Sequence, residues 1–280
     1  MDKQIIDQFI KNAIAEDLGD GDHTSLSTIP ADARGRAKLI IKEAGIVAGV
    51  ELSLHIFRQV DPGLELEVLI HDGASVKYGD IVLTVSGSAH SILLAERLVL
   101  NCMQRMSGIA TKTNQIVQIL SPFKTKLLDT RKTTPGLRYL EKWAVRIGGG
   151  VNHRIGLYDM ILIKDNHVDY AGGIANAISS ARSYLEDKGK VLEIEIEVRN
   201  LTELNEVISI GGINRIMLDN FSFEDLRQAV SIIDDKYITE ASGGITESNV
   251  AEYAACGVDF ISMGALTHSV KSLDMSLKAF

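Results

Sequence analysis

The spacing of apolar residues divides the chain into segments of helical and of strand character. Ile6, Phe9, Ile10 and Ala13 recur at helical spacing and predict an amphipathic helix that ends near Gly19. Residues 34–88 alternate in the period-2 manner of strands around a helix, ELSLHIFRQV, and a long helical pattern then covers residues 91–120. These segments predict a small N-terminal α+β domain with an open sheet.

Short apolar strands with polar ends follow one another from Lys126 onward. They are KLLDTRK, MILIKDN, VLEIEIEV, RIMLDN, YITEASGG and VDFISMGA, and helical patterns separate most of them, for example at 172–188, 202–210, 222–234 and 246–256. This alternation is typical of parallel strands with crossover helices. It predicts an α/β fold of the (β/α)-barrel kind that is shorter than the usual count of about eight repeats. A doubly wound open sheet is the alternative architecture.

The polar ends of these strands would converge on one barrel mouth, where active sites of this fold collect. The residues concerned are Asp129, Arg131, Lys132, Lys164, Asp165, Glu197, Asp219, Asn220, Ser242 and Gly264.

Glu193, Glu195 and Glu197 occupy alternate positions and therefore face one side of their strand. We favour the barrel interior, where ionised carboxylates need a Lys, Arg or metal partner. The alternative turns the three glutamates outward and the apolar Leu192, Ile194 and Ile196 inward.

Positive charge is concentrated around one stretch of an acidic chain. The formal net charge of the 280 residues is −8, yet residues 124–167 carry nine Lys and Arg against four Asp and Glu. The acidic whole argues against nucleic acid as a partner, because phosphate backbones recruit broad basic surfaces. The local cluster instead predicts a small anionic ligand.

Two Gly-rich turns after strands resemble phosphate cradles, Ser242-Gly243-Gly244 and Met263-Gly264-Ala265. Backbone N–H groups at such turns bind a phosphate without side-chain charge, and neighbouring loops form a recurrent phosphate site in barrels. The run Gly148-Gly149-Gly150 follows no strand, and we interpret it as a flexible loop that lets Asn152, His153 and Arg154 approach a ligand.

Motif spacing and the length of apolar runs argue against a cysteine metal site, a calcium loop and a membrane span. Cys102 and Cys256 are too far apart for a CxxC metal motif and are expected to be buried free thiols. The acidic turn EDLGDGDHTS lacks the Glu and Gly of a calcium loop and is expected to be a capped polar turn. No apolar run is long enough to span a bilayer, so we expect a soluble, cytoplasmic protein without membrane contact.

Seven motifs in one order carry a resemblance to a known family. They are ERLVLNCMQRMSGIAT, TRKTTPGLRYLEKWAVRIGGGVNHR, LIKDNH, IEVRNLTE, IMLDN, EASGGI and SMGALTHS. Together they resemble quinolinate phosphoribosyltransferase (decarboxylating), and the resemblance extends from the EDLGDGDHTS turn to the C-terminal region.

The resemblance implies a particular domain organisation. It implies an N-terminal open sandwich over residues 1–110, an incomplete α/β barrel over 111–268, and a C-terminal helix over 269–280 that returns to the first domain. It also implies a homodimer with shared active sites, and leaves open whether dimers assemble into hexamers.

The implied reaction joins quinolinate to 5-phosphoribosyl 1-diphosphate and yields nicotinate mononucleotide, CO2 and diphosphate in NAD biosynthesis. The catalytic residues by resemblance are Lys132, Lys164, Glu197 and Asp219. The substrate-binding residues are Arg97 from the partner subunit together with Thr130, Arg131, Lys132, His153, Arg154, Lys164, Glu197, Asp219, Ser242, Gly243, Gly244, Met263, Gly264 and Ala265. Glu197 and Asp219 would also hold Mg2+, an ion that takes oxygen ligands and few carboxylates.

Two other functions are compatible with such a fold, because fold alone does not fix substrate. A paralogous transferase would accept another aromatic acid or serve a transport-associated role. A non-catalytic module that binds anionic metabolites would need the basic cluster but not Glu197 and Asp219, and both acids are present.

Overall fold

The computed structural model describes residues 3–280, which form two compact units. The first unit comprises the chain up to Asn114, Pro135–Gly149 and Val270–Phe280, and the second comprises Gln115–Thr134 and Gly150–Ser269. No helix within residues 3–280 is long and apolar enough to cross a membrane.

The first unit begins with α-helices and short strands in the predicted order. Helices α1 (Lys3–Leu18) and α2 (His23–Thr28) precede strands β1 (Arg34–Ile41) and β2 (Gly45–Ile46), helix α3 (Val50–Val60), strands β3 (Glu65–Val68), β4 (Ser75–Val76) and β5 (Ile81–Ser88), and the long helix α4 (Ala89–Leu120). The predicted capped turn is present, since Asp22 accepts a hydrogen bond from the backbone N–H of Ser25 at 3.0 Å. Buried Ile6, Ile10, Leu39 and Phe57 belong to the core of this unit.

The second unit contains parallel strands that alternate with helices. In chain order they are β6 (Lys126–Leu128), α5 (Arg138–Ile147), which belongs to the first unit, β7 (Ile161–Ile163), α6 (Asp165–Ala171), α7 (Ile174–Lys188), β8 (Ile194–Val198), α8 (Leu201–Ile210), β9 (Arg215–Asp219), α9 (Phe223–Ile233), β10 (Ile238–Ser242), α10 (Val250–Ala255), β11 (Phe260–Ser262), α11 (Ala265–His268) and β12 (Met275–Ala279), which returns to the first unit.

The parallel sheet has the strand order β6-β11-β10-β9-β8-β7. Its register aligns the carboxyl ends of neighbouring strands, for example Ser242 beside Asp219 and Glu197 beside Met217. Strands β6 and β7 form the two edges, which agrees with the predicted incomplete barrel. Because all strands run in one direction, their polar ends lie at one edge of the sheet.

The antiparallel sheet of the first unit has the order β12-β1-β5-β3. Residues 269–280 were predicted as a helix, and this prediction was wrong. Met275 and Leu277 are buried while Ser276 and Lys278 are more exposed, and strand β12 pairs with β1 from Met275 opposite Ile41 to Ala279 opposite Ala37. A period of two fits a strand, and β1 offers the backbone groups that a new edge strand needs.

The predicted domain boundaries also differ from the observed units. Helix α5 lies inside the stretch that was predicted to be barrel, yet it belongs to the first unit. Its buried side chains include Leu140, Trp143 and Val145. These side chains give α5 an apolar face, and an apolar face must be covered by other residues. This explains why α5 belongs to the first unit although the flanking segments belong to the second.

Candidate active site

A cavity of about 700 Å³ lies at the carboxyl ends of the parallel strands in the second unit. Fourteen of the predicted site residues line it: Thr130, Arg131, Lys132, His153, Arg154, Lys164, Glu197, Asp219, Ser242, Gly243, Gly244, Met263, Gly264 and Ala265. The remaining predicted residue, Arg97, is exposed on α4 in the first unit.

A larger cavity of about 860 Å³ belongs to the first unit. Its walls come from α1, α4 and residues 135–141, and they include Ile5, Phe9 and Leu98. The predicted site residues of the second unit line the smaller cavity instead.

One side of the smaller cavity carries two arginines close to one another. Arg131 follows strand β6, and its Nε is buried without a hydrogen-bond partner among residues 3–280. Arg154 is buried and donates from Nη1 to the carbonyl oxygen of Met160 at 3.3 Å. Burial lowers the pKa of Arg154, and the charge of Arg131 lowers it further. Neither guanidinium forms an ion pair within the described chain, so this side of the cavity is suited to anions.

Acidic side chains lie on strands β8 and β9. Glu197 Oε2 lies 2.8 Å from Lys164 Nζ, at the end of the neighbouring strand β7. Asp219 accepts hydrogen bonds from Ser242 Oγ at 2.7 Å and from Asn220 Nδ2 at 2.6 Å. These neighbours fix the orientation of the Asp219 carboxylate, which keeps further lone pairs for a ligand.

The predicted inward orientation of the glutamate row is correct for two of its three members. Glu195 is completely buried and Glu197 lines the cavity. Glu193 is exposed because strand β8 begins only at Ile194.

His153 is held at both ring nitrogens by the protein. Its Nδ1 accepts the backbone N–H of Arg154 at 2.7 Å, and its Nε2 lies 3.0 Å from Glu195 Oε2 and 3.3 Å from Glu240 Oε2. We predicted that His153 lies beside a bound carboxylate. The ring does line the cavity: Nδ1 is an acceptor in this geometry, and Nε2 faces the carboxyl groups of Glu195 and Glu240.

Charges around this histidine are strongly coupled. Burial opposes the charged ring, but the proximity of the Glu195 and Glu240 carboxyl groups outweighs burial and raises the pKa of His153 to about 9. Nδ1 accepts the backbone N–H of Arg154 and has no place for a second proton, so the geometry fits the neutral ring with its proton on Nε2. Burial, followed by the charge of Glu240, raises the pKa of Glu195 to about 7. Burial opposes ionisation of Glu240 too, yet its contacts with His153 and the nearby Arg215 hold its pKa below the ordinary value. The surroundings therefore favour the ionised form at Glu240 and oppose it at Glu195.

The turn Ser242-Gly243-Gly244 has the backbone of a cradle. Gly243 (φ +87°) and Gly244 (φ +61°) both adopt left-handed conformations that favour glycine. A Cβ on Gly243 would collide with the side chain of Asn220, so a larger residue here would have to displace that side chain. The helix that follows begins at Val250, not at Thr246 as predicted, and Asn249 Oδ1 instead accepts the N–H of Thr246 at 2.7 Å.

The second turn, Met263-Gly264-Ala265, precedes the one-turn helix α11. A Cβ on Gly264 would approach Lys132 Cδ at 2.8 Å and the ring of His268 at 3.1 Å. The close approach of Lys132 and His268 to this backbone places two nitrogen-bearing side chains beside the second cradle.

The glycine run at 148–150 has a structural role that the sequence did not reveal. Gly148 ends helix α5, and a Cβ there would approach the carbonyl oxygen of Ala110 at 2.5 Å. Downstream, Asp129 accepts the backbone N–H of His153 at 2.8 Å and a hydrogen bond from Asn152 Nδ2 at 2.5 Å. The segment that carries His153 is therefore held by hydrogen bonds and is not a free loop.

Sequence reasoning missed several residues of the site. Asn220 was noted as a strand end but not as a site residue, and Glu240, Thr246 and His268 also line the cavity. Glu240 sits inside ITEAS, where alternation could have placed it on the inner face with Ser242. His268 follows an apparent helix start, and no pattern distinguishes it from a surface histidine.

The fold and site define an α/β-barrel protein with a glycine-turn anion cradle, a guanidinium pair and an acidic pair in one cavity. Comparison with known proteins narrows this class. The chain belongs to the quinolinate phosphoribosyl transferase family, because the models of the C-terminal domain and the N-terminal domain match residues 109–278 and 22–107.

Individual relatives agree with this assignment. The chain is 49% identical over 284 residues to nicotinate-nucleotide pyrophosphorylase (carboxylating) of Arabidopsis thaliana, with 96% of this chain and 81% of the relative covered. Among solved structures, NadC from Streptococcus pyogenes has a TM-score of 0.93 at 38% identity, covering 99% of this chain and 97% of that one. The nicotinate-nucleotide pyrophosphorylase from Francisella tularensis has a TM-score of 0.92 at 42% identity, covering 100% and 98%.

Proposed function

We propose that the protein transfers the phosphoribosyl group of 5-phosphoribosyl 1-diphosphate to quinolinate, with loss of CO2, to give nicotinate mononucleotide and diphosphate in NAD biosynthesis. The observation that carries this proposal is the pair Arg131 and Arg154, which form no ion pair with a carboxylate among residues 3–280, in the same cavity as Glu197 and Asp219. A planar diacid matches two guanidinium forks, and an electron-poor ribose matches two carboxylates.

Quinolinate would be oriented by its two carboxylates. A guanidinium binds a carboxylate through two parallel N–H bonds, which fixes both position and angle. Two such forks, Arg131 and Arg154, would hold the ring so that its nitrogen faces the sugar, with Lys132 nearby. Fixing both reactants in this way removes much of the entropic cost of a bimolecular step.

The sugar diphosphate would occupy the rest of the cavity. The turns at Ser242–Gly244 and Met263–Ala265 would bind the 5-phosphate through backbone N–H groups, since the helices behind them are short. Lys164 would meet the diphosphate, and Glu197 and Asp219 would hold the ribose hydroxyls. As the diphosphate departs with its bonding electrons, these two carboxylates stabilise the positive charge that develops on the ribose.

The ring nitrogen then forms the new bond to the anomeric carbon and becomes positively charged. That charge stabilises the electron pair left on the adjacent ring carbon when its carboxylate departs as CO2. The carbon finally takes up a proton. No separate cofactor for decarboxylation is required.

Mg2+ is the ion that we propose for this site. Glu197 and Asp219 offer oxygen ligands on neighbouring strands, and Mg2+ is commonly held by one or two carboxylates together with substrate phosphates. The ion would supply neutralisation of the diphosphate charge when bound. We therefore expect turnover to stop in chelator and to return on addition of Mg2+.

The proposed assembly is a homodimer in which Arg97 of each subunit contacts the quinolinate of the other. The exposure of Arg97 on α4 supports an intermolecular role. A cytoplasmic location is a further prediction. The names of plant relatives place those proteins in the chloroplast or the mitochondrion.

The decisive experiment combines the purified full chain with quinolinate, 5-phosphoribosyl 1-diphosphate and Mg2+, followed by identification of the products. Nicotinate and other pyridine acids serve as control substrates. Among the acids tested, only quinolinate is expected to yield nicotinate mononucleotide and CO2. Equal or faster turnover of another aromatic acid would instead support a paralogous transferase.

A further inference from the structure

Two glutamates lie buried beneath the candidate active site. Glu195 on β8 and Glu240 on β10 both have zero exposure, and they flank strand β9, which carries Arg215. Arg215 Nη1 lies 3.3 Å from Glu240 Oε2, so Glu240 has a cation of its own. Glu195 Oε2 makes its close contact with His153 Nε2 at 3.0 Å.

This contact fixes the orientation of the His153 ring. With Nε2 at Glu195, Nδ1 lies 2.7 Å from the backbone nitrogen of Arg154 and accepts its hydrogen. A ring turned away from Glu195 would leave that backbone N–H without its acceptor, which is unfavourable for a buried donor. The position of Glu195 is thereby transmitted to the peptide that carries the Arg154 guanidinium.

A metal ion bound by His153, Glu195 and Glu240 is the competing interpretation, since their ligand atoms lie within 4.8 Å of one another. The hydrogen bonding argues against it. Nδ1 already accepts a hydrogen and so carries none, and a metal on Nε2 would remove the other ring proton. Arg215 also supplies the positive charge that the acid pair needs.

We propose that Glu195 is a positioning residue for the substrate diacid: through His153 it holds Arg154 in the place where it binds one carboxylate. This inference rests on the proposed function for the identity of the ligand. It assigns to Glu195 an effect on the affinity for the diacid and none on the affinity for the sugar diphosphate.

Substitutions at Glu195 separate positioning from folding. Glu195→Leu removes the oxygen that contacts His153 Nε2 at similar side-chain size, and Glu195→Gln restores a side-chain oxygen without the carboxyl group. Glu195→Asp keeps the carboxyl group but withdraws it by one methylene, and provides a second variant should the leucine variant fail to fold. The matched control is Glu193→Leu, at the exposed position two residues earlier.

Binding of quinolinate and of 5-phosphoribosyl 1-diphosphate is measured separately by calorimetry, alongside the melting temperature. In Glu195→Leu the Kd for quinolinate is expected to rise about tenfold, since small displacements of a positioning group carry losses of at least this size. The Kd for the sugar diphosphate is expected to stay within about twofold. Glu195→Gln should recover most of the lost affinity, and Glu195→Asp should fall between the two.

Several results would overturn the proposal. An unchanged Kd for quinolinate in Glu195→Leu, or in Glu195→Asp if the leucine variant does not fold, would do so. Parallel weakening of both substrates, or a glutamine variant no better than the leucine variant, would also do so.

A spectroscopic readout distinguishes this proposal from the proposed function. Nitrogen-15 NMR of the His153 ring should show Nδ1 as an acceptor in the wild type and a changed ring signal in Glu195→Leu. A ring signal indifferent to Glu195 overturns the positioning role. A wild-type protein that binds no quinolinate overturns the proposed function, while the ring signal still reports on the His153 contact.

Discussion

Lys164 Nζ lies 2.8 Å from Glu197 Oε2, across the carboxyl ends of two adjacent parallel strands. The lysine side chain is 46% exposed and the glutamate side chain 9% exposed. An ion pair with one partner in water contributes at most about 1 kcal/mol to stability. The pair therefore matters for substrate binding more than for stability. Each side chain can exchange its partner for a substrate group of opposite charge.

Exchange of these two charges should therefore abolish activity without harming the fold. In the double variant Lys164→Glu with Glu197→Lys the ion pair can still form, and we expect the melting temperature to change by only about 3 °C. Turnover should fall at least about a hundredfold, because the positive charge moves from the diphosphate to the ribose. The same exchange at Glu43 and Lys271, an exposed pair at 3.0 Å in the first unit, serves as the control. Recovery of activity by the exchange at 164 and 197 would show that the pair is structural only.

Substitution of Arg131 by Ala should abolish turnover and leave the fold intact. We expect kcat/KM to drop about a thousandfold, since a bidentate, charge-assisted contact to a carboxylate is lost. Stability should not fall, because Arg131 has no ion-pair partner in the described chain and its charge disfavours Arg154. Steady-state kinetics and thermal denaturation test this prediction, with Lys126→Ala at the start of the preceding strand β6 as control. Wild-type-like turnover would remove Arg131 from the site.

Substitution of Gly243 by Ala should weaken the binding of the sugar phosphate. The new Cβ would meet Asn220, whose amide holds Asp219, and would disturb the cradle and the acid together. We expect the KM for 5-phosphoribosyl 1-diphosphate to rise about tenfold. Gly189→Ala is the matched control, because Gly189 has φ +58° with nothing near its Cβ and should show only the backbone strain of about 1–2 kcal/mol. Equal KM values in the two variants would argue against a cradle at Gly243.

Mixed inactive subunits should regain activity if active sites are shared. In a homodimer of Arg97→Ala every site lacks the arginine from the partner subunit, and in a homodimer of Arg154→Ala every site lacks its own Arg154. In a mixed dimer one of the two sites is fully wild type, so activity should recover toward about one quarter of the wild-type value at equal mixing with random exchange. Mass spectrometry of differently tagged subunits verifies exchange. No recovery after proven exchange would place Arg97 outside the partner's site.

The parallel strands of the second unit could be predicted well because each strand has a recognisable pattern in its own short stretch of sequence. IEIEV shows an apolar and a charged face within five residues, and its polar end, like those of the other strands, lies at the predicted edge. The side chains that line the cavity can be predicted from this arrangement without knowing the distances between strands. A period-2 pattern and a polar strand end together suffice for Glu197 and Asp219.

Contacts between distant segments could not be predicted in the same way. Glu195 was expected inside the barrel, but the sequence does not say that His153, 42 positions earlier, would be its partner. Arg138, Glu141 and Lys142 have the three- and four-residue spacing of a surface ion-pair face, yet Glu141 and Lys142 are buried. Arg105 Nη2 lies 2.8 Å from Glu141 Oε1. Helical spacing reveals which residues share a face and not what covers that face.

The pairing of β12 with β1 has a consequence for the order in which the protein matures. Residues 275–279 complete a sheet whose other strands end at Ser88, and all of the parallel strands are translated in between. During synthesis strand β1 has an unpaired edge until residues 275–279 are translated, after all of the parallel strands. Unpaired strand edges can pair with strands of other chains. Growth conditions that slow translation between residues 89 and 275 should therefore increase the demand for chaperones.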